Sequence, residues 1–435
     1  MKETKETRET VVTKRKSDLL GEEYSYIEHK SGLKIYSFYK DRSSFYAILG
    51  TKYGSFDNRF KLKYDENVTD VPEGIAHFLE HKMFEMEDGR DAFELYAENG
   101  ADANAYTGFD RTAYLFSCTE NFYGNLRTLI KMVTEPYFSE ETVKKEQGII
   151  GEEIKMCEDR SGDALYYGLM RALYKDSPAR IPVAGTVESI SRITPELLYR
   201  CYRTFYNLGN MALCVCGRID EAEIIAIADE MLIDAGEREI ERFMPPEASE
   251  VFSSRETVRM QVSKPMFGIG VKDASCSAGD PARFEAERTL LCEALFGMSS
   301  ALYSELYESG TVGGYGASWA VEGGNSSLSI MGDCDDPESV FAKFTDYVER
   351  CKRDGISDEA FVRAKRVLYA RAVRAFESTS DIAEELFNGF VMGADIFSMS
   401  EAIGRVEKSD LEALLHNVFK PERYAMCVVL PTEEE

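Results

Sequence analysis

The stretch Gly74 to Glu85, GIAHFLEHKMFE, holds two of the chain's four histidines. His77 and His81 are four residues apart, with Glu80 between them. On a helix, at about 100° per residue, the two imidazoles stand one turn apart on one face, close enough to share an ion. Glu80 then lies beside them, within reach of a water on that ion without being a ligand. Imidazole nitrogen suits zinc, and a catalytic zinc site takes three protein ligands and keeps a position open for water. H-x-x-E-H is the reversed form of the zinc-binding H-E-x-x-H motif, with equivalent roles by helical geometry. Ile75, Phe78, Leu79 and Met83 also make the segment a core helix, in which a single histidine would be a packing residue. Two histidines and a glutamate on one polar face favour a metal.

A third ligand has to come from elsewhere. The segment SEETVKKEQGIIGEEIKMCED, from Ser139, offers Glu146, Glu152 and Glu153. Glu146 and Glu153 are seven residues apart, about two helical turns, and so share a face. Glu152 points about 100° away from Glu153. Bordered by Ile149 and Ile150, the Glu146–Glu153 pair reads as an inward acidic stripe. Glu140, Glu141 and Glu158 read as a solvated face.

The elements that must hold these residues fall into two halves, as the length of 435 residues leads one to expect. The first half opens with strands in YSYIEHKSGLKIYSFYK and SSFYAILGTKYGSF. A helix follows over 73–86, and a second in RDAFELYAENG stops at Asn99-Gly100. ADANAYTGFDRTAYLFSC reads as strand, and long helices cover 121–135 and 139–158. Residues 1–18 read as a mobile tail, 19–231 as the domain carrying the histidines, 232–256 as a charged, proline-bearing linker, and 257–435 as a second domain. That second half repeats the plan: strands near 256–273, helices at 280–297 and 299–309, a strand over 315–333, helices from 335 to 419, and a closing strand. ITPELLYRCYRTFYNLGNMALCVCGRID from Ile193 matches VEKSDLEALLHNVFKPERYAMCVVLPTE from Val406 at a register of 213 residues. The same shift sets His77 against Leu290, Glu80 against Glu293 and His81 against Ala294. The fold class expected is α+β: two related α/β halves, each an antiparallel-rich sheet packed with helices, one with polar chemistry and one without.

Composition narrows the function. A net charge of −26 makes nucleic acid a poor partner, since its phosphates would be repelled. No run approaches eighteen apolar residues, so no membrane span is expected. The N-terminus lacks the apolar core of a signal peptide. None of the ten cysteines falls in a C-x-x-C pair, and Cys214 and Cys216 sit in an apolar run as buried thiols, so a cytoplasmic location is expected.

The H-x-x-E-H helix, a glutamate about seventy residues on within E-x6-E, and the intervening GADANAYTGFDRTAY together resemble the M16 metallopeptidases. That family includes pitrilysin, insulin-degrading enzyme and the mitochondrial processing peptidase, and EGIAHFLEHKMFE is most similar to its small bacterial branch. The resemblance covers nearly the whole chain. It implies a Zn2+ endopeptidase acting on short or unfolded peptides in a closed chamber. His77, His81 and Glu153 would be the zinc ligands, Glu80 the general base, and Glu146 an acid that orients ligand or water. Asn104 and Ala105 match the family's N-A motif, where an edge strand pairs with the substrate backbone. Relatives carry an arginine seven residues before a tyrosine in the second half. Tyr315 fits the tyrosine, but Tyr307 or Glu308 stands where the arginine belongs. The resemblance therefore implies a dimer: a heterodimer with a paralogue that supplies the Arg-Tyr pair, or a homodimer. The rival expectation is a non-catalytic or partner-dependent subunit of such a heterodimer.

Overall fold

The computed structural model describes residues 8–233, 236, 238–273 and 279–432. The chain begins with β1 (Val11–Ser17), β2 (Glu22–Glu28), β3 (Lys34–Tyr39), β4 (Phe45–Thr51), β5 (Arg59–Leu62) and β6 (Thr69–Asp70). Two short helices, α1 (Ile75–Lys82) and α2 (Ala92–Glu98), precede the hairpin β7 (Ala101–Thr107) and β8 (Thr112–Cys118). Helices α3 (Phe122–Thr134), α4 (Glu140–Glu158), α5 (Ser161–Leu173), α6 (Val187–Ile190) and α7 (Pro195–Phe205) lead to β9 (Met211–Gly217). Next come α8 (Glu221–Met231), β10 (Ile240–Arg242), β11 (Arg255–Met260) and β12 (Met266–Lys272). Helices α9 (Pro281–Phe296) and α10 (Ala301–Glu308) precede a second hairpin, β13 (Val312–Glu322) and β14 (Asn325–Cys334). Five helices follow: α11 (Pro337–Asp354), α12 (Asp358–Ala375), α13 (Thr379–Met392), α14 (Ser398–Arg405) and α15 (Lys408–Val418). The last strand is β15 (Tyr424–Pro431).

These elements form two compact units that interleave along the chain. The first holds residues up to Glu152, Val183–Phe243 and Val373–Phe397; the second holds Glu153–Pro182, Met244–Ala372 and the remainder from Ser398. The first unit's main sheet has the order β1-β2-β3-β9-β4-β8-β7, and the second unit's β11-β15-β12-β14-β13. In each, the last strand made enters parallel to the first of the repeat, β9 beside β3 and β15 beside β11, and antiparallel to the next. The expected mixed architecture of two related, mostly antiparallel halves is what the chain adopts.

The repeat also explains how each sheet is covered. Helices α5 and α13 occupy equivalent places in their halves, yet each packs on the other half's sheet. α5 lies on β11, β12 and β15, and α13 on β3, β4 and β9. On the first sheet, Ile382, Leu386, Phe387 and Phe390 of α13 bury against Phe38, Ile48, Ala212 and Cys214. Each large apolar side chain so buried contributes about 1.5–3 kcal/mol. Gly50 on β4 lets this helix approach: a Cβ there would stand 2.2 Å from the Phe387 ring.

Three expectations are corrected. Residues 11–17, expected within a mobile tail, form edge strand β1, paired along its length with β2. Six of its seven side chains are exposed, so backbone pairing rather than burial orders it. The expected linker holds β10, which pairs with β5, and Glu247, whose carboxylate accepts the Asp176 and Ser177 N–H groups and pairs with Lys272. The 101–118 segment is a hairpin rather than one strand, turning where Gly108 N–H donates to the Arg111 carbonyl at 2.8 Å.

Candidate metal centre

Helix α1 starts from Gly74, whose φ of +87° is a conformation glycine adopts at little cost. A Cβ at this position would lie 2.3 Å from the Ala184 carbonyl oxygen, so no other residue fits. The preceding Glu73 carbonyl accepts the Ser189 hydroxyl at 2.8 Å, tying the helix start to α6. Ile75, Phe78 and Leu79 are buried and seat α1 among α7, β7 and β8. The opposite side carries the histidines, their ring centroids 4.6 Å apart.

α4 brings its carboxylates to this face. One ligand atom each from His77, His81 and Glu153 lies within 4.8 Å of the other two. Burial, and then the neighbouring His81, push the His77 pKa down to about 3. Its imidazole is therefore neutral at neutral pH, the form that ligates metals. His81 Nδ1 lies 3.0 Å from Glu146 Oε1, a contact in which the N–H donates to the carboxylate and orients the ring. Two imidazoles and a carboxylate are a donor set that zinc takes. The residues present fit that ion.

Glu80 is 8% exposed, and its Oε2 accepts the Thr107 hydroxyl at 2.6 Å. Thr107 ends β7, so the hairpin fixes the carboxylate on the histidine helix. Sequence reasoning singled out ANAYT for Asn104 and Ala105 and missed Thr107. Lys82 is also missed: it is fully buried, paired with Glu85, and its pKa is pushed down to about 8 by burial. Of the two isoleucines expected to flank an inward stripe, Ile150 is buried and Ile149 is exposed.

Asn104 and Ala105 lie on β7, the edge strand of the seven-stranded sheet. β8 occupies one side of it, and among the described residues no strand pairs with the other. Ala105 N–H donates to the Asn104 side-chain oxygen at 2.9 Å. Beside them a cleft of about 490 Å³ is lined by Glu80, His81, Phe84, Phe93, Asn104 and Ala105. The Phe84 and Phe93 rings stack at 4.2 Å along it. Tyr315 belongs to the second unit. It lies on β13, 7% exposed, with its ring 4.9 Å from that of Tyr303.

Residues 67–187 match the family Insulinase (Peptidase family M16), and residues 192–368 match the Peptidase M16 inactive domain. The uncharacterized zinc protease YmfH of Bacillus subtilis is 37% identical, over 92% of this chain and 95% of that protein. The chain belongs to peptidase family M16. An uncharacterized zinc protease of Rickettsia felis is 26% identical over 84% of the chain and 87% of its own length. An M16-like protein from Alicyclobacillus acidocaldarius superposes with a TM-score of 0.90 at 30% identity, covering 98% of this chain and all of that one (100%). Pitrilysin shares the fold, with a TM-score of 0.77 at 18% identity over 98% of this chain and 47% of its own. Among the described residues, no helix is long and apolar enough to cross a membrane.

Proposed function

We propose that this M16 member is a zinc-dependent endopeptidase acting on short or unfolded peptides. The observation that carries the reading is the convergence of His77, His81 and Glu153 beside Glu80, itself held by Thr107 at the end of an open sheet edge. A zinc ion bound there supplies Lewis acidity, which lowers the pKa of water and polarises a carbonyl. The open edge of β7 pairs with an extended peptide backbone, and Asn104 releases the Ala105 N–H for that ladder. Glu80, its Oε2 held by the Thr107 hydroxyl, takes the proton of the attacking water and delivers it to the leaving amine. Glu146 holds the His81 ring in register for the ion. Glu80→Gln should retain about one zinc per chain while peptidase activity falls about 10²–10⁴-fold. Full activity in that variant would reject Glu80 as the base.

A second reading has one observation in its favour. Tyr315 is packed inside its unit, and the exposed Tyr307 or Glu308 stands where relatives carry the arginine. The chain then works in a closed chamber formed by a cytoplasmic heterodimer, with a paralogue supplying the Arg-Tyr pair. On this reading the purified chain is a weak peptidase whose activity rises on mixing with such a paralogue. Strong activity from the chain alone rejects it.

A further inference from the structure

The first unit carries a second cavity that shares no residue with the metal centre. Its volume is about 550 Å³, and it opens where the C-terminal end of α13 meets the face of β2 and β3. Tyr24 and Tyr36 from the sheet and Phe390 from the helix are among its walls, together with Arg15, Lys34 and Lys52. Three cations gathered against two carboxylates, Glu28 and Asp395, stand out in a chain of net charge −26.

Two of these cations lie against one aromatic ring. The Lys52 and Lys34 ammonium groups lie 4.6 and 5.6 Å from the centroid of one ring, that of Phe390. Lys34 donates to the Gly209 carbonyl at 2.9 Å. Among the described residues, the Lys52 ammonium makes no hydrogen bond or ion pair. Burial, and then Lys34, push its pKa down to about 8. Arg15 also has no ion pair among the described residues and sits 6.0 Å from the Tyr26 ring centroid. A desolvated ammonium beside a second ammonium costs stability that a bound anion would offset.

The carboxylates limit what that anion can be. Asp395 accepts the Tyr24 hydroxyl at 2.8 Å and Glu28 the Tyr26 hydroxyl at 3.2 Å. A ligand charged over its whole length would meet both. The fitting ligand carries its charge at one end and presents hydroxyl or amino donors at the other, with a planar group against the rings. The volume suits a nucleotide-sized molecule and exceeds what inorganic phosphate fills. We propose that this cavity binds a small nucleotide-like phosphate ester, its phosphate on Lys52 and Lys34 and its planar part among Tyr24, Tyr36 and Phe390.

Calorimetric titration of the full chain with AMP tests this, with adenosine and inorganic phosphate as separate arms. AMP should bind, and Lys52→Ala should weaken it about tenfold or more, the scale of one lost charged hydrogen bond. Adenosine and phosphate should each bind about tenfold more weakly than AMP, since each keeps one of the two contacts. Should Lys52→Ala fail to fold by circular dichroism, Lys52→Met keeps the aliphatic stem and serves instead. Glu80→Gln should bind AMP as the wild type does, which separates this site from the peptidase reading. No heat with millimolar AMP, unchanged affinity in the lysine variant, or phosphate binding as tightly as AMP would each overturn the proposal.

Discussion

Helices α1 and α9 occupy equivalent places in the two halves and are held by different means. At the 213-residue register, His77 and His81 face Leu290 and Ala294, both fully buried. Glu80 faces Glu293, whose side chain is 10% exposed and pairs with Arg371 of α12 at 3.0 Å. When α4 and α12 are aligned on their first residues, Glu153 falls on Arg371. So where the first half gathers two imidazoles and a carboxylate between α1 and α4, the second joins α9 to α12 by an ion pair over an apolar core. The scaffold therefore does not need the histidines. In the first half, three polar groups are gathered at a cost in desolvation that only a ligand or a reaction explains.

The largest effect should come from making α1 resemble α9. His77→Leu combined with His81→Ala should drop zinc from about one per chain to none, with peptidase activity at background and the circular dichroism unchanged. A variant that still held zinc would break the assignment of this helix. Conversely, Leu290→Ala in α9 should lower stability by about 2–5 kcal/mol in urea unfolding and leave the zinc content alone. A loss of zinc there would mean the two helices are not functionally distinct.

A finer contrast rests on Thr107, whose hydroxyl binds Glu80. Thr107→Val should lower kcat about tenfold with KM within about twofold, because the hydroxyl positions the base rather than the peptide. A rise in KM with kcat unchanged would place Thr107 in substrate binding instead. The smallest effect is in the metal-free chain. The His77 pKa lies near 3 in the folded state against 6.5 ordinarily, so below pH 6.5 the unfolded chain binds a proton that the folded chain refuses. Stability contributed by the neutral ring is complete above pH 6.5 and declines as the pH falls toward 3. Urea midpoints in chelator at pH 7 and pH 4.5 should therefore diverge more for wild type than for His77→Leu. Equal divergence would show that burial of this ring is unimportant to acid sensitivity.

What is local or strictly periodic is legible in the residue order. Four-residue spacing places His77 and His81 on one helical face, and seven-residue spacing does the same for Glu146 and Glu153. The repeat of α7-β9 in α15-β15 holds residue by residue, with Leu198 and Leu411, and Cys214 and Cys427, all fully buried. β1 escaped because its lysines and arginine resemble a solvated tail, while a strand ordered by backbone pairing leaves no apolar alternation to read. The rest depends on long-range packing. Amphipathic spacing says that α5 and α13 must each bury a face, but not on which sheet, and each settles on the sheet of the other half. Nor could spacing bring Thr107 to Glu80, because that contact depends on where the β7-β8 hairpin turns, and moving the register by one residue would carry the hydroxyl to the opposite face.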